Sequence, residues 1–256
     1  MKIALIGAGR VARYLGHRLQ SEGHTLTGVY SRTETHAKLL GAELNCGSTA
    51  TLKQLNLDCD IVLMALSDDA TAAVASQLKL EKQLLLHTAG SLSIDLLAAA
   101  GSPNFGTLYP LFSFSGEVVP KDLQIPFLIE TSNEASKLVV RSMAEQISDR
   151  VQESTHAQRL VLHLAAVFAN NFSNHLFGLS EELLNHKSLT LDLLLPMLTH
   201  QVLQLKSKHP AALQTGPAIR GDKGTMQRHL DMLADRPDLQ AIYSLLSDSI
   251  QRTAKS

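Results

Sequence analysis

Lys2-Ile3-Ala4-Leu5-Ile6-Gly7-Ala8-Gly9-Arg10-Val11-Ala12 opens the chain, and the next apolar run ends Val29-Tyr30-Ser31-Arg32-Thr33. A short aliphatic run breaks into Gly-x-Gly-x-x-Ala and then into a segment of helical period. Gly7 permits a tight turn, Gly9 lets backbone N–H groups approach a pyrophosphate, and Ala12 still allows close helix–strand packing. Arg10 and Val11 begin the helix whose N-terminus would face that anion, where free N–H groups and the helix dipole favour negative charge. Glycines also end strands for structural reasons alone, but the strand before and the helix after supply the expected context. The sequence therefore predicts a dinucleotide site.

The end of the second strand discriminates between cofactors. A site for NAD usually carries an Asp or Glu about 20 residues past the glycines, to accept from the ribose 2′-OH. Here Ser31-Arg32-Thr33 stands instead. A guanidinium can grip a 2′-phosphate with paired charge-assisted hydrogen bonds, and Ser31 and Thr33 add hydroxyl donors. The expected cofactor is NADP. The alternative is that Arg32 is a solvated loop charge and Glu34 binds the ribose.

Working outward, apolar runs at 3–6, 26–30, 61–66, 84–87, 105–108, 126–130 and 150–153 read as strands. Helical stretches such as 11–21 and 70–78 separate most of them. That alternation implies βαβ units, a mostly parallel sheet and helices on both faces. After Ser154 strand-like alternation stops, and successive helices are expected at about 156–184, 190–206, 223–234 and 239–253. The expected architecture is α/β, a doubly wound sheet over residues 1–154 followed by an all-helical domain over 155–256.

Composition excludes several classes. Twenty-three Lys and Arg against 24 Asp and Glu give a net charge of −1, and no basic stripe with interleaved aromatics suggests nucleic acid. Two cysteines without CxxC spacing fit a reducing compartment, and no histidines share metal-ligand spacing, so no metal is expected. The run 3–6 is too short for a signal peptide, and 160–169, interrupted by His163, is too short for a membrane span. A cytoplasmic protein is expected. The helix from His156 is apolar nearly all round, so part of it should meet either a second copy of the chain, giving a homodimer, or its own neighbours.

Ligands of open α/β sheets lie beyond the carboxyl ends of the strands. There the sequence places Leu66-Ser67-Asp68-Asp69, expected beside the nicotinamide ribose with an Asp capping the next helix, and His87-Thr88-Ala89-Gly90-Ser91, expected near the nicotinamide ring. His87 could equally be a satisfied strand-end histidine. His163, Asn170, Asn171 and Asn174 fall along one flank of a regular helix. Such a stripe could position and protonate a substrate oxygen, or form a polar network between helices. In Thr215-Gly216-Pro217-Ala218-Ile219-Arg220-Gly221-Asp222, Arg220 suits a substrate carboxylate in a cleft between the domains, or an interdomain salt bridge. Asp222 could cap the helix from Lys223 alongside any role in the site.

Gly7–Ala12, His87–Ser91, Ala165–Phe172 and Gly216–Asp222 resemble one family along essentially the whole chain. Its members join a Rossmann-type domain to a helical domain known as DUF2520, and the family is similar to the 6-phosphogluconate-dehydrogenase-like group. The Gly-Pro-x-x-Arg-Gly-Asp element is the most specific match. The resemblance implies an NADP-dependent oxidoreductase, with some members credited as ketopantoate reductases. Two departures stand out. Tyr109-Pro110 replaces a frequent His-Pro, and no lysine lies between His156 and His186, where better-known ketopantoate reductases carry one. The expectation is thus an NADPH-dependent reductase of a small carboxylate-bearing 2-oxo acid, ketopantoate being the first choice. Arg220 would hold the carboxylate, with His163 and Asn171 polarising the carbonyl. An imine reductase of the pyrroline-5-carboxylate type and an NADPH-binding sensor without turnover are the alternatives.

Overall fold

The computed structural model describes residues 1–116, 119–120 and 122–253. The chain divides into two compact units, Met1–Ser173 and Asn174–Ser256.

In the first unit, β1 (Lys2–Ile6), α1 (Arg10–Ser21), β2 (Thr25–Tyr30), α2 (Glu34–Glu43) and β3 (Gly47–Thr49) are followed by β4 (Ile61–Met64), α3 (Asp68–Ala75) and β5 (Leu84–His87). Then come β6 (Phe105–Pro110), β7 (Phe127–Thr131), α4 (Glu134–Ile147), β8 (Val151–Glu153) and α5 (His156–Ala166). The eight strands form one sheet in the order β3-β2-β1-β4-β5-β6-β7-β8. All neighbours are parallel except β6 and β7. β7 runs back: no helix lies among the described residues between it and β6, and a parallel return needs a crossover. Strand order reverses at β1, so the carboxyl ends of β1 and β4 open the crevice where such sheets bind ligands.

The strands read as unbroken apolar runs because both faces are covered. Ile3, Leu5, Ile61, Leu63 and Leu86 join the core on one face, packed with Leu15 and Leu19 of α1. Ala4, Ile6, Val62, Met64 and Leu85 alternate into the core on the other. Truncating one such leucine to alanine costs about 2–5 kcal/mol. β3 was absent from the sequence reading: three residues on the sheet edge, Gly47-Ser48-Thr49, bury no apolar run that could reveal them.

The last strand ends at Glu153, where the sequence changes texture, yet the first unit continues to Ser173. The reason is Arg159, fully buried on α5. It pairs with Glu130 of β7 and donates through Nη2 to the Leu92 carbonyl at 3.0 Å, tying the helix to the sheet. α5 is started by a reciprocal cap between Thr155 and Gln158. Apolar side chains along it are exposed, Val161 at 68% and Leu164 at 58%, as is Phe168 just past its end at 64%.

Past α5 the helix widens into a π-helical segment, Val167–Phe172. The shared flank for His163, Asn170, Asn171 and Asn174 assumed an unbroken 3.6-residue period. The wider turns break that relation.

The second unit is helical: α6 (Ser173–Asn185), α7 (Leu195–Gln204), the short turns α8 (Pro210–Leu213) and α9 (Pro217–Arg220), α10 (Lys223–Met232) and α11 (Pro237–Thr253). Gly216 and Gly221 bracket α9 with φ of 110° and 67°, left-handed values that favour glycine.

Candidate functional site

Gly7 leaves β1 at φ 115°, and a Cβ there would stand 2.2 Å from the Ala65 carbonyl oxygen. The turn is therefore closed on the protein side. At Gly9 a Cβ would meet no atom of the described residues within 4 Å beyond its chain neighbours, so the space beside it is open among them. Gly9 caps α1 without any side-chain acceptor, and the first turn of α1 carries no acid. By contrast α2 and α3 begin with Glu34 and with Asp68 and Asp69. An uncapped, acid-free helix start behind a glycine with open space fits a pyrophosphate. Val11 packs against the sheet core, and Arg10 donates to the Phe114 carbonyl at 3.2 Å. The segment after β6 thus reaches this turn.

Ser31 follows β2, and its Oγ accepts from the Thr33 N–H at 3.4 Å. Arg32 is exposed and forms no ion pair among the described residues. Glu34, the alternative ribose ligand, is held by Lys38 at 2.7 Å, which lowers its carboxyl pKa. Arg32, not Glu34, is the uncommitted charge at this strand end.

Leu66 and Ser67 follow β4, and Ser67 is the N-cap of α3 without a side-chain hydrogen bond. The expectation that Asp68 or Asp69 caps that helix is corrected: both lie inside its first turn. Asp68 instead accepts a hydrogen bond from Ser91 Oγ beyond β5. Thr88 donates its N–H to the Met64 carbonyl at 3.1 Å, joining the two strand ends.

His87 is fully buried. Its Nδ1 accepts from the Ala89 N–H at 3.1 Å, while Nε2 has no partner among the described residues. Burial first, then the charges of Arg159 and His156, push its pKa down to about 3. It is a neutral structural imidazole, ill suited to carry a proton to substrate. Beside it Tyr109 ends β6, and its hydroxyl lies 3.4 Å from His163 Nδ1 on α5. Burial, and secondarily Asp68, raise the phenol pKa, so Tyr109 keeps its proton. His156 Nε2 donates to the Ser91 carbonyl at 2.9 Å, a second tie between α5 and this edge.

His163 is therefore joined to the strand edge, and the sequence reading missed its partner. Tyr109 was noticed only as a departure from His-Pro. Its position at the last turn of a parallel strand was the available signal. Asn171 lies exposed in the π segment, where the Asn170 amide donates to its Oδ1 at 3.4 Å.

In the second unit Asp222 caps α10, accepting from the Thr225 N–H at 3.0 Å, and that bond lowers its carboxyl pKa. Arg220, at the end of α9, is exposed and without a salt bridge among the described residues. α10 and α11 are further joined by His229 Nδ1 and the Tyr243 hydroxyl at 2.9 Å.

Residues 2–90 match the family model described as NADP oxidoreductase, coenzyme F420-dependent, and residues 125–250 match the domain of unknown function DUF2520. A solved structure from Bacteroides fragilis, provisionally assigned as an NADP oxidoreductase, is 37% identical over 98% of each chain, with a TM-score of 0.91. An imine reductase from Myxococcus stipitatus, in complex with NADP+, gives a TM-score of 0.68 at 16% identity, over 100% of this chain and 94% of its own. A 1-pyrroline-5-carboxylate reductase from Streptococcus pyogenes gives 0.61 at 18% identity, over 100% and 98%. At such identities these last two share the fold. No curated protein matches the chain.

Proposed function

The chain belongs to the family of NADP-dependent oxidoreductases that join a Rossmann-type domain to a DUF2520 helical domain, and from that premise we propose that it reduces a small C=O or C=N compound with NADPH. The observation that carries this reading is the Tyr109–His163 pair. It stands at the same carboxyl edge of the sheet as the Gly7–Gly9 turn.

When bound, NADPH supplies the hydride; the chain binds, orients and handles the proton. Gly7, Gly9, Arg10 and Val11 would form the pyrophosphate turn, with Ser31, Arg32 and Thr33 at the 2′-phosphate and Leu66, Ser67 and Thr88 along the nicotinamide half. His163 and Asn171 would polarise the substrate's heteroatom. Holding both reactants in place supplies much of the acceleration.

A carboxylate-bearing 2-oxo acid of the ketopantoate kind is the finer form of the proposal. Arg220 supports it, as an exposed guanidinium with no ion pair to give up. Asp222, already a helix cap, would act there only by holding the Arg220 turn in shape. A homodimer is proposed from the bare stripe of Leu160, Val161, Leu164, Phe168 and Phe172. No described helix is long and apolar enough to cross a membrane, and a cytoplasmic location accords with the reductase role.

The test is loss of NADPH absorbance on adding ketopantoate or 1-pyrroline-5-carboxylate to the purified protein. Saturable oxidation with either supports the reading and selects between oxygen and nitrogen substrates. Tight NADPH binding without oxidation by either moves the weight to another carbonyl or imine, and none by a panel of these overturns it in favour of a sensor.

A further inference from the structure

We propose that Tyr109 is the group that delivers the proton to the substrate, with His163 returning a proton to it from solvent. This rests on the reductase reading above and changes the residue that touches the reacting atom.

Several groups with exchangeable protons crowd this edge, and three of those nearest the Tyr109–His163 pair are engaged elsewhere. His87 is sealed in the core with Nδ1 occupied by a backbone N–H. Ser91 spends its hydroxyl proton on the Asp68 carboxylate. His156 spends Nε2–H on the Ser91 carbonyl. Tyr109 remains. Among the described residues its hydroxyl has a single side-chain partner, His163 Nδ1 at 3.4 Å, and that partner is exposed to solvent. The phenol is half-buried at the carboxyl end of β6, which runs parallel to β5. Ligands of such a sheet lie beyond this end.

The ring is also held in place from behind. A Cβ on Gly90 would come within 2.5 Å of the Tyr109 ring and 2.9 Å of its oxygen. Glycine at 90 is what lets the phenol lie against the strand-end loop, with its hydroxyl at His163. The charged and titratable groups facing the phenol are Asp68 from α3 and His163 from α5. Asp68 and burial both keep the phenol protonated in the ground state, so it parts with its proton only to the strongly basic alkoxide or amide that hydride addition creates.

The step balances as follows. Hydride adds to the electrophilic carbon, and the π pair of the C=O bond moves onto oxygen. The Tyr109 O–H bond breaks and its proton joins that oxygen. The Nδ1–H of His163 then reprotonates the tyrosinate while its Nε2 takes up a proton from solvent. For an imine, the nitrogen lone pair takes the Tyr109 proton and hydride adds to carbon.

The decisive comparison uses substrates that differ in their need for a proton. Ketopantoate and the neutral imine 3,4-dihydroisoquinoline need one; N-methyl-3,4-dihydroisoquinolinium, already cationic, needs hydride alone. With Tyr109→Phe, turnover of whichever neutral compound the wild type reduces should fall by about 100-fold or more. Turnover of the iminium and the Kd for NADPH should hold. Equal losses on both classes, or none on either, overturn the donor role while leaving the reductase standing.

A wild type that oxidises NADPH with none of the three compounds, nor with the wider panel of carbonyls and imines, overturns the reductase reading and the donor role together. Should Tyr109→Phe fold poorly, the wild type alone decides. Slower turnover in D2O for the neutral compound but not for the iminium supports the transfer, and an equal effect on both overturns it.

Discussion

The ring of Tyr109 occupies the space that a side chain on Gly90 would need, its Cζ 2.5 Å from an ideal Cβ. A contact that close cannot stand, and the atoms met are the far end of the Tyr109 side chain, which is half-buried and gives way before the backbone does. Gly90→Ala should therefore push the phenol away from His163, at a stability cost of no more than about 1 kcal/mol. The expected result is a large fall in kcat with the Kd for NADPH little changed, because the Gly7–Gly9 turn is untouched. Unchanged kcat in a folded Gly90→Ala protein would show that the placement of Tyr109 does not matter to turnover.

His87 makes stability depend on acid in a direction that can be worked out. Its folded pKa of about 3 lies below the ordinary 6.5. Between those values the unfolded chain binds a proton that the folded chain refuses. Stability therefore falls as pH drops from about 6.5 toward about 3 and is regained on raising the pH. The full penalty is on the order of 5 kcal/mol. Tm should drop less steeply over this window in His87→Asn than in the wild type. Parallel slopes would mean that the buried imidazole is not the group responsible.

The parts of this architecture written in short local patterns were legible. Ile3–Ile6 and Leu84–His87 are apolar on both faces, and Gly7-x-Gly9 sits at the one strand end where a turn must stay open, so sheet, crevice and cofactor followed from the sequence. What depended on distant partners was not legible. Arg159 looks like a surface charge on a helix until Glu130, 29 residues earlier, is seen to meet it. Tyr109 and His163 are 54 residues apart and share no motif. The π segment at Val167–Phe172 obeys no period readable from residue types, so the asparagine flank was drawn with the wrong pitch. Asp68 or Asp69 was expected as a cap because acids favour helix starts, but α3 begins at Asp68 itself, so both lie in its first turn and Asp68 accepts from Ser91 instead.

Arg32 is expected to decide between the two nicotinamide cofactors. It stands uncommitted one residue past Ser31, while Glu34 is tied to Lys38. Hydrogen bonds to charged groups are worth about 1.5–3 kcal/mol, so losing them should weaken NADPH binding roughly ten- to a hundredfold in Arg32→Ala. NADH, lacking the 2′-phosphate, should bind as before. Calorimetric titration of both cofactors measures the ratio. A preference for NADPH that survives the substitution places the phosphate on other donors.

Arg159 links fold stability to the placement of His163, and the two effects can be separated. Its guanidinium is fully buried, its partner Glu130 is 26% exposed at the side chain, and Nε has no partner. Removing Glu130 strands a buried charge. Glu130→Ala should cost about 2–4 kcal/mol in urea unfolding, below the figure for a wholly buried pair because solvent reaches Glu130. Replacing both partners, Glu130→Leu with Arg159→Met, should recover most of that loss, since apolar pairs often substitute for buried ion pairs without penalty. Turnover should not recover with it. The double variant keeps a packed interior but loses the bond from Arg159 to the Leu92 carbonyl that registers α5 against the strand edge. His163, one turn further along α5, would then meet Tyr109 less often. A double variant as stable and as active as the wild type would reduce Arg159 to a packing residue. One that is stable but slow, with NADPH affinity intact, would show that the buried charge serves the geometry of the Tyr109–His163 pair.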